Sequence, residues 1–267
     1  VLGLPLSPLC YKDVLGRIRE LIERNEPSHV ITANLNYAML SHEDSELREV
    51  NRRAAFLVAD GMPLVWASRR CPRPIPERVA GSDLIYDIAR IAADLGRGIF
   101  LLGGAEGIAA TAAESLRARY PDLRDVASFT PPFRPTLTEE DTREILTRIH
   151  AARPAVLLVA LSQPKGELWI ASHLEEIGVP LCIQLGASFD FVAGRVSRAP
   201  RWIQLTGLEW MYRLALEPQR LFARYWSNGL FYASMMLRGP SAWRDDHPTS
   251  GDDPLREPSS QEGSDRP

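Results

Sequence analysis

Apolar positions along this chain fall into two patterns, helical spacing and short continuous runs. Residues 12–24, "KDVLGRIRELIER", place Val14, Leu15, Ile18, Leu21 and Ile22 at helical spacing, and 35–51, 82–95, 106–119, 138–150 and 166–177 repeat that pattern. Thr136 or Thr138 is a candidate N-cap for the stretch at 138–150, with Glu139, Glu140 and Asp141 in its first turn. Between the helical stretches lie short apolar runs: "HVITAN" (29–34), 55–59, "GIFLLGG" (98–104), "LRDVASF" (123–129), "AVLLVAL" (155–161) and "PLCIQLG" (180–186). Continuous apolar strands alternating with amphipathic helices predict an α/β fold, with a mainly parallel, Rossmann-like sheet covered by helices on both faces.

Such sheets bind ligands at the carboxyl ends of their strands. Here those ends read Thr32-Ala33-Asn34, Asp60-Gly61, Gly103-Gly104, Ser162-Gln163-Pro164-Lys165 and Gly186-Ala187-Ser188. From about residue 199 the texture changes to aromatic, apolar and arginine-rich. Residues 239–267 then hold Pro, Gly, Ser and acids without periodicity. The chain therefore divides into an α/β domain at 1–198, an amphipathic helical appendage at 199–238 and an acidic tail at 239–267 that reads as disordered.

Composition narrows the function classes. The tail has seven acids against three arginines. With −3 overall and −4 in the tail, the remainder carries +1, which argues against a general nucleic-acid binder. Three cysteines, far apart and with no CxxC, give no disulfide framework and fit a reducing cytosol. No basic-then-apolar leader opens the sequence, and no run reads as a spanning helix. The five histidines lack ligand spacing and the body lacks DxD, so no metal and no cofactor is expected.

Asp60 ends an apolar strand, where it is either a turn or helix-cap residue or a general base shielded by apolar neighbours. Thr32 and Asn34 point the same way from the neighbouring strand and can meet a sugar hydroxyl or a phosphate, or cap the helix that follows. Arg78 and Gly81 precede a helix start, a natural site for a diphosphate. "LLGGAEGIA" resembles a dinucleotide turn without GxGxxG, which leaves an NAD-dependent oxidoreductase as an alternative.

In order, the chain contains "TANLNYAM", "VADGMPLVW", "RVAGSDL", "FLLGGAEGIAATAAESLRARYP", "PKGELWI", "LGASFDFVAGRVSRAPRW" and "GLEWMYRLALEPQRLFARYW". Together they resemble the WecG/TagA/CpsF glycosyltransferases, glycosyltransferase family 26, from about residue 3 to 232. The resemblance implies inverting, metal-independent transfer of a sugar, of N-acetylmannosamine or uronic-acid type, from a UDP-sugar to a polyprenyl-diphosphate-linked saccharide. It implies work at the cytoplasmic membrane face, in cell-envelope polysaccharide synthesis. Asp60 maps onto the family's proposed base and Thr32 and Asn34 onto its TxN pair. Arg78 maps onto the RVxG arginine.

Gly103, Gly104, Lys165, Gly186 and Asp190 join Arg78 as substrate-binding candidates. Arg213, Arg220 and Arg224 are set among aromatics and suit an anionic bilayer surface or the acceptor's diphosphate. A homo-oligomer is left open. One departure stands out: Gly166 occupies the place of a glutamine usual in the family. It keeps a non-catalytic nucleotide-sugar-binding protein as a further alternative.

Overall fold

The computed structural model describes residues 1–243; the acidic stretch from 244 onward lies outside the described residues. Six strands form one all-parallel sheet: β1 (His29–Ala33), β2 (Phe56–Ala59), β3 (Ile99–Gly103), β4 (Val126–Phe129), β5 (Val156–Ala160) and β6 (Leu181–Gln184). Their order is β2-β1-β6-β5-β3-β4. Register is continuous, with Thr32 beside Val58, Ile31 beside Gln184 and Gly103 beside Ala160. The predicted α/β class holds.

The strands are apolar on both sides because both sides are covered. Val30, Phe56, Val58, Ile99, Leu101, Val156, Leu158 and Ile183 pack against α1 (Tyr11–Arg24), α5 (Gly81–Asp94), α6 (Ile108–Arg119) and α9 (Ser188–Val192). The alternate residues face the other way. Ile31, Leu57 and Ala59 meet α2 (Leu35–Glu43), α3 (Ser45–Arg53) and α4 (Met62–Ser68). Phe100, Leu102, Leu157 and Val159 meet α7 (Glu139–Ala152) and α8 (Lys165–Ile177). This is the period-two consequence of an extended backbone.

Local chemistry sets the helix ends. Thr138 caps α7, its hydroxyl accepting the Asp141 N–H at 3.1 Å while the Asp141 carboxylate accepts the Thr138 N–H at 2.9 Å. The single helix expected over 35–51 is two. Asp44 adopts an extended conformation, and its Oδ1 accepts from Glu46 N at 2.8 Å, so it ends α2 and caps α3.

After β6 the chain forms α10 (Arg201–Thr206), α11 (Glu209–Leu216) and α12 (Pro218–Arg238). Helix α12 lies along α2, with Leu221, Met235 and Trp243 buried. The Trp243 indole donates to the Met235 carbonyl at 2.7 Å, within a 3-10 turn over Pro240–Trp243. The stretch read as a tail from 239 thus begins with a packed turn.

Gly166 also finds its physical reason. A Cβ at this position would overlap the Gln184 side-chain amide. That amide is buried and satisfied at both ends, donating to the Leu161 carbonyl and accepting from Leu161 N at 3.4 Å. Gln184 therefore fills the space a side chain at 166 would need. We expect Gly166→Ala to cost about 1–3 kcal/mol, because the displaced amide strands buried polar groups. In a Gln184→Ala background the same change should be neutral or stabilising, since alanine favours a helix over glycine. Urea unfolding of the four variants measures this; equal costs in both backgrounds would refute the steric account.

Candidate active site

The alternation of β2 delivers Asp60. Phe56 and Val58 face α5, and the next residue of that parity is Asp60, just past the last strand residue. Its N–H donates to the Ala33 carbonyl at 2.7 Å, so the backbone is still tied to β1 there. Residues 78–80 run beside it, with Val79 N donating to the Ala59 carbonyl at 2.9 Å. This strap brings Arg78 to the same end of the sheet and starts α5 at Gly81.

Gly81 explains how closely these pieces meet. A Cβ there would lie 3.1 Å from Leu185 Cδ2 and 3.4 Å from both Asp60 Oδ2 and Ser188 Oγ. The Gly81 N–H donates to the Asp60 carboxylate, so the carboxylate sits on the amino end of α5. The cap reading of Asp60 is not met: it faces the start of α5, whose N-cap is Ala80. The N-cap of α4, the helix that follows Asp60 in sequence, is Gly61 and has no side-chain bond.

Asp60 retains partial exposure at its rim. Even so, burial is the largest influence on its carboxyl and pushes it up to about 6. Arg78 and the Gly81 N–H pull it down, Glu209 pushes it up, and Arg198 pulls it down. A carboxylate half-protonated near pH 6 and charged at neutral pH has the properties of a general base.

Arg78 is not a loose surface cation. Its Nη1 lies 3.0 Å from Glu209 Oε2, with side chains only 17% and 13% exposed. Arg198 Nε lies 3.5 Å from Glu209 Oε1, and Arg198 also grips Asp83 in the first turn of α5, Nη2 to Oδ2 at 2.8 Å. Sequence reasoning did not single out Glu209 or Arg198. Both stand inside the quoted "SRAPRW" and "GLEW" segments, and that was the available signal.

The other candidates are distributed along the rim. Thr32 is buried and donates from Oγ1 to the Gln184 carbonyl at 3.1 Å. Asn34 caps α2, Oδ1 accepting from Tyr37 N at 3.0 Å. Gly186 follows β6, and Asp190 lies 3.7 Å from Arg195. Lys165 Nζ donates to the Arg134 carbonyl at 2.8 Å.

Gly103 ends β3 and Gly104 follows it, four strands from β2, roughly 19 Å at the usual strand spacing. Both have positive φ, and a Cβ on Gly103 would come within 2.7 Å of the Ala160 carbonyl oxygen, so this turn requires glycine. Helix α9 links the two ends, meeting Gly81 through Ser188 and Gly104 through Phe189.

Among the appendage arginines, Arg213 reaches α9, its guanidinium 5.6 Å from the Phe191 ring centroid and its Nε buried without a hydrogen-bond partner. Arg224 is exposed and lies over Tyr225. The Arg220 backbone belongs to α12, and its side chain lies outside the described residues.

A second carboxyl was also missed. Glu167 is buried, Gln163 Nε2 donates to its Oε1 at 3.2 Å, and burial pushes it up to about 7. Gln163 in turn accepts from Asn36 at 3.3 Å, joining the starts of α8 and α2. No group of His, Cys, Asp and Glu among the described residues is arranged to hold a metal ion.

The chain is similar to known glycosyltransferases. A curated relative from Bacillus spizizenii, N-acetylglucosaminyldiphosphoundecaprenol N-acetyl-beta-D-mannosaminyltransferase, is 28% identical over 199 residues, 74% of this chain and 75% of its own length. The family model of the glycosyl transferase WecG/TagA/CpsF family matches residues 1–244, which include the strand-end residues, the α5 start and the C-terminal helices. The chain is a glycosyltransferase and belongs to the WecG/TagA/CpsF family.

Proposed function

We propose that this enzyme transfers a sugar of N-acetylmannosamine or uronic-acid type from a UDP-sugar to a polyprenyl-diphosphate-linked saccharide, with inversion and without a metal. The relative's name specifies an N-acetylglucosaminyl-diphosphoundecaprenol acceptor and an N-acetylmannosaminyl group, and those chemistries are carried over here. The observation that carries the reading is Asp60: a carboxylate at the sheet rim, desolvated towards neutral pKa and held by the Gly81 N–H beside Arg78.

In the proposed step Asp60 accepts the proton of the acceptor hydroxyl as that oxygen bonds to the anomeric carbon. The bond from that carbon to the UDP oxygen breaks, and UDP leaves with the electron pair. One displacement needs one base, so no carboxylate nucleophile is required. The growing charge on UDP would be met by guanidinium groups and helix N–H groups. Arg78 is already engaged by Glu209, which leaves Arg213, with its unpartnered Nε, as the better placed of the appendage arginines.

The same helices support a membrane-facing role. Trp202, Phe222, Trp226, Leu230 and Leu237 are each more than half exposed, while Leu221, Met235 and Trp243 anchor the inner face. Phe231 and Tyr232 pack against the core beside α2. No described helix is long and apolar enough to cross a membrane. Exposed aromatics beside Arg224 suit a helix lying in the headgroup region of the cytoplasmic leaflet, where the lipid-linked acceptor would be met.

Asp60→Asn should lose roughly 10²–10⁴ in turnover, with UDP release followed in excess EDTA and with a short-chain lipid-diphosphate acceptor. Wild-type rates should survive EDTA; loss of activity, restored by Mg²⁺, would contradict the metal-free step. The same variant reports on folding. Because the folded carboxyl holds its proton to about pH 6 against 3.8 when unperturbed, the wild type loses stability relative to Asp60→Asn as pH rises through that window. The difference should reach the order of 2–3 kcal/mol and stay flat above about pH 7. A melting-temperature gap independent of pH would mean the carboxyl is not desolvated. Replacing Phe222 and Trp226 together by serine should reduce co-sedimentation with anionic vesicles about tenfold or more while leaving the melting temperature nearly unchanged. Undiminished pelleting would remove this face from membrane contact.

A further inference from the structure

The segment beyond residue 198 inserts one carboxylate into the charge cluster at the rim. Glu209 opens α11 and is largely buried. Its two oxygens serve two guanidiniums, Arg78 at 3.0 Å and Arg198 at 3.5 Å. Arg198 closes the circuit on Asp83 in the first turn of α5, whose leading N–H holds Asp60. Removing one member of a desolvated ion cluster leaves its partners uncompensated, so each charge fixes the others.

We infer that Glu209 is a positioning residue for sugar transfer: it holds Arg78 and Arg198 in place beside Asp60 and so ties the state of the base to the seating of the C-terminal helices. This rests on the reading of Asp60 as the base. The groups facing Asp60 are Arg78 from the strap, the Gly81 N–H from α5, Arg198 ahead of α10 and Glu209 from α11. The two arginines and the N–H favour the carboxylate, whereas Glu209 opposes it. Glu209 itself faces Arg78 and Arg198, and Asp83 faces Arg198. With the charge at 209 removed, both guanidiniums act on Asp60 without a competitor. Asp60 then gives up its proton at lower pH and is a weaker base above it.

The test is the pH profile of kcat for the full chain, between pH 4.5 and 8.5, with a UDP-sugar and lipid-diphosphate-linked N-acetylglucosamine. Wild type should lose activity as pH falls through about 6. Glu209→Gln should move that acidic limb down by about half a pH unit or more. Its plateau kcat should fall about tenfold, with KM for the donor changed less than threefold. Glu209→Asp should restore most of the limb position. Arg198→Gln, which removes a cation from Asp60, should move the limb upward and remains readable if Glu209→Gln is too unstable to assay. A Glu209→Gln limb unmoved from wild type overturns the inference. So does a several-fold lower donor KM at an unmoved limb, which would make Glu209 an occupant of the diphosphate's place. A normal turnover in Asp60→Asn would instead defeat the base reading itself.

Discussion

A carboxylate withdrawn from water at the end of β2 is the constraint around which the rest of this site is arranged. Burial alone would neutralise Asp60, and its carboxyl is indeed raised to about 6. What keeps it ionisable near neutral pH is a helix amino terminus and two guanidiniums, moderated by one opposing carboxylate. Each of these comes from a different segment: the strap at 78, the start of α5, the turn before α10 and the start of α11. The balance of desolvation against local charge is therefore a property of the assembled fold and of no single stretch.

Small residues make that assembly possible. Gly81 lets the start of α5 approach Asp60, Leu185 and Ser188 more closely than a side chain there would readily allow. Gly103 lets the chain leave β3 against the Ala160 carbonyl. Gly166 yields its space to the Gln184 amide, which secures the loop after β5. The space beside Gly166 is thus taken by a polar side chain from the adjacent strand β6. A sequence read in one dimension does not show that partner.

The C-terminal helices have two faces in different surroundings. One face is fastened to α2 through Met235 and Trp243, with Arg70 donating to the Met236 carbonyl at 2.8 Å. Near its start the same region lends Glu209 and Arg198 to the rim. The opposite face presents Trp202, Phe222, Trp226 and Leu237 outward.

The sequence was most informative where physics is local. Continuous apolar runs and period-3.6 patterning located the six strands and most helices, and Thr138 was one of two threonines read as the cap of its helix. The alternation that buries Phe56 and Val58 also put Asp60 at a strand's carboxyl end, so the candidate base was legible from one short run. Local reading failed at Asp44, where a side chain competing for backbone N–H groups breaks a helix that hydrophobic spacing alone would continue. It failed more seriously at Glu209, Arg198 and Gln184. Their roles depend on partners far away in the chain, and long-range ion pairs and steric exclusion leave no periodic trace. By itself the sequence determined the parallel α/β architecture, the rim of strand ends and the family. Only the tertiary structure decided which charges surround Asp60, because Coulomb interaction and desolvation depend on distance in space, and chain folding sets that distance.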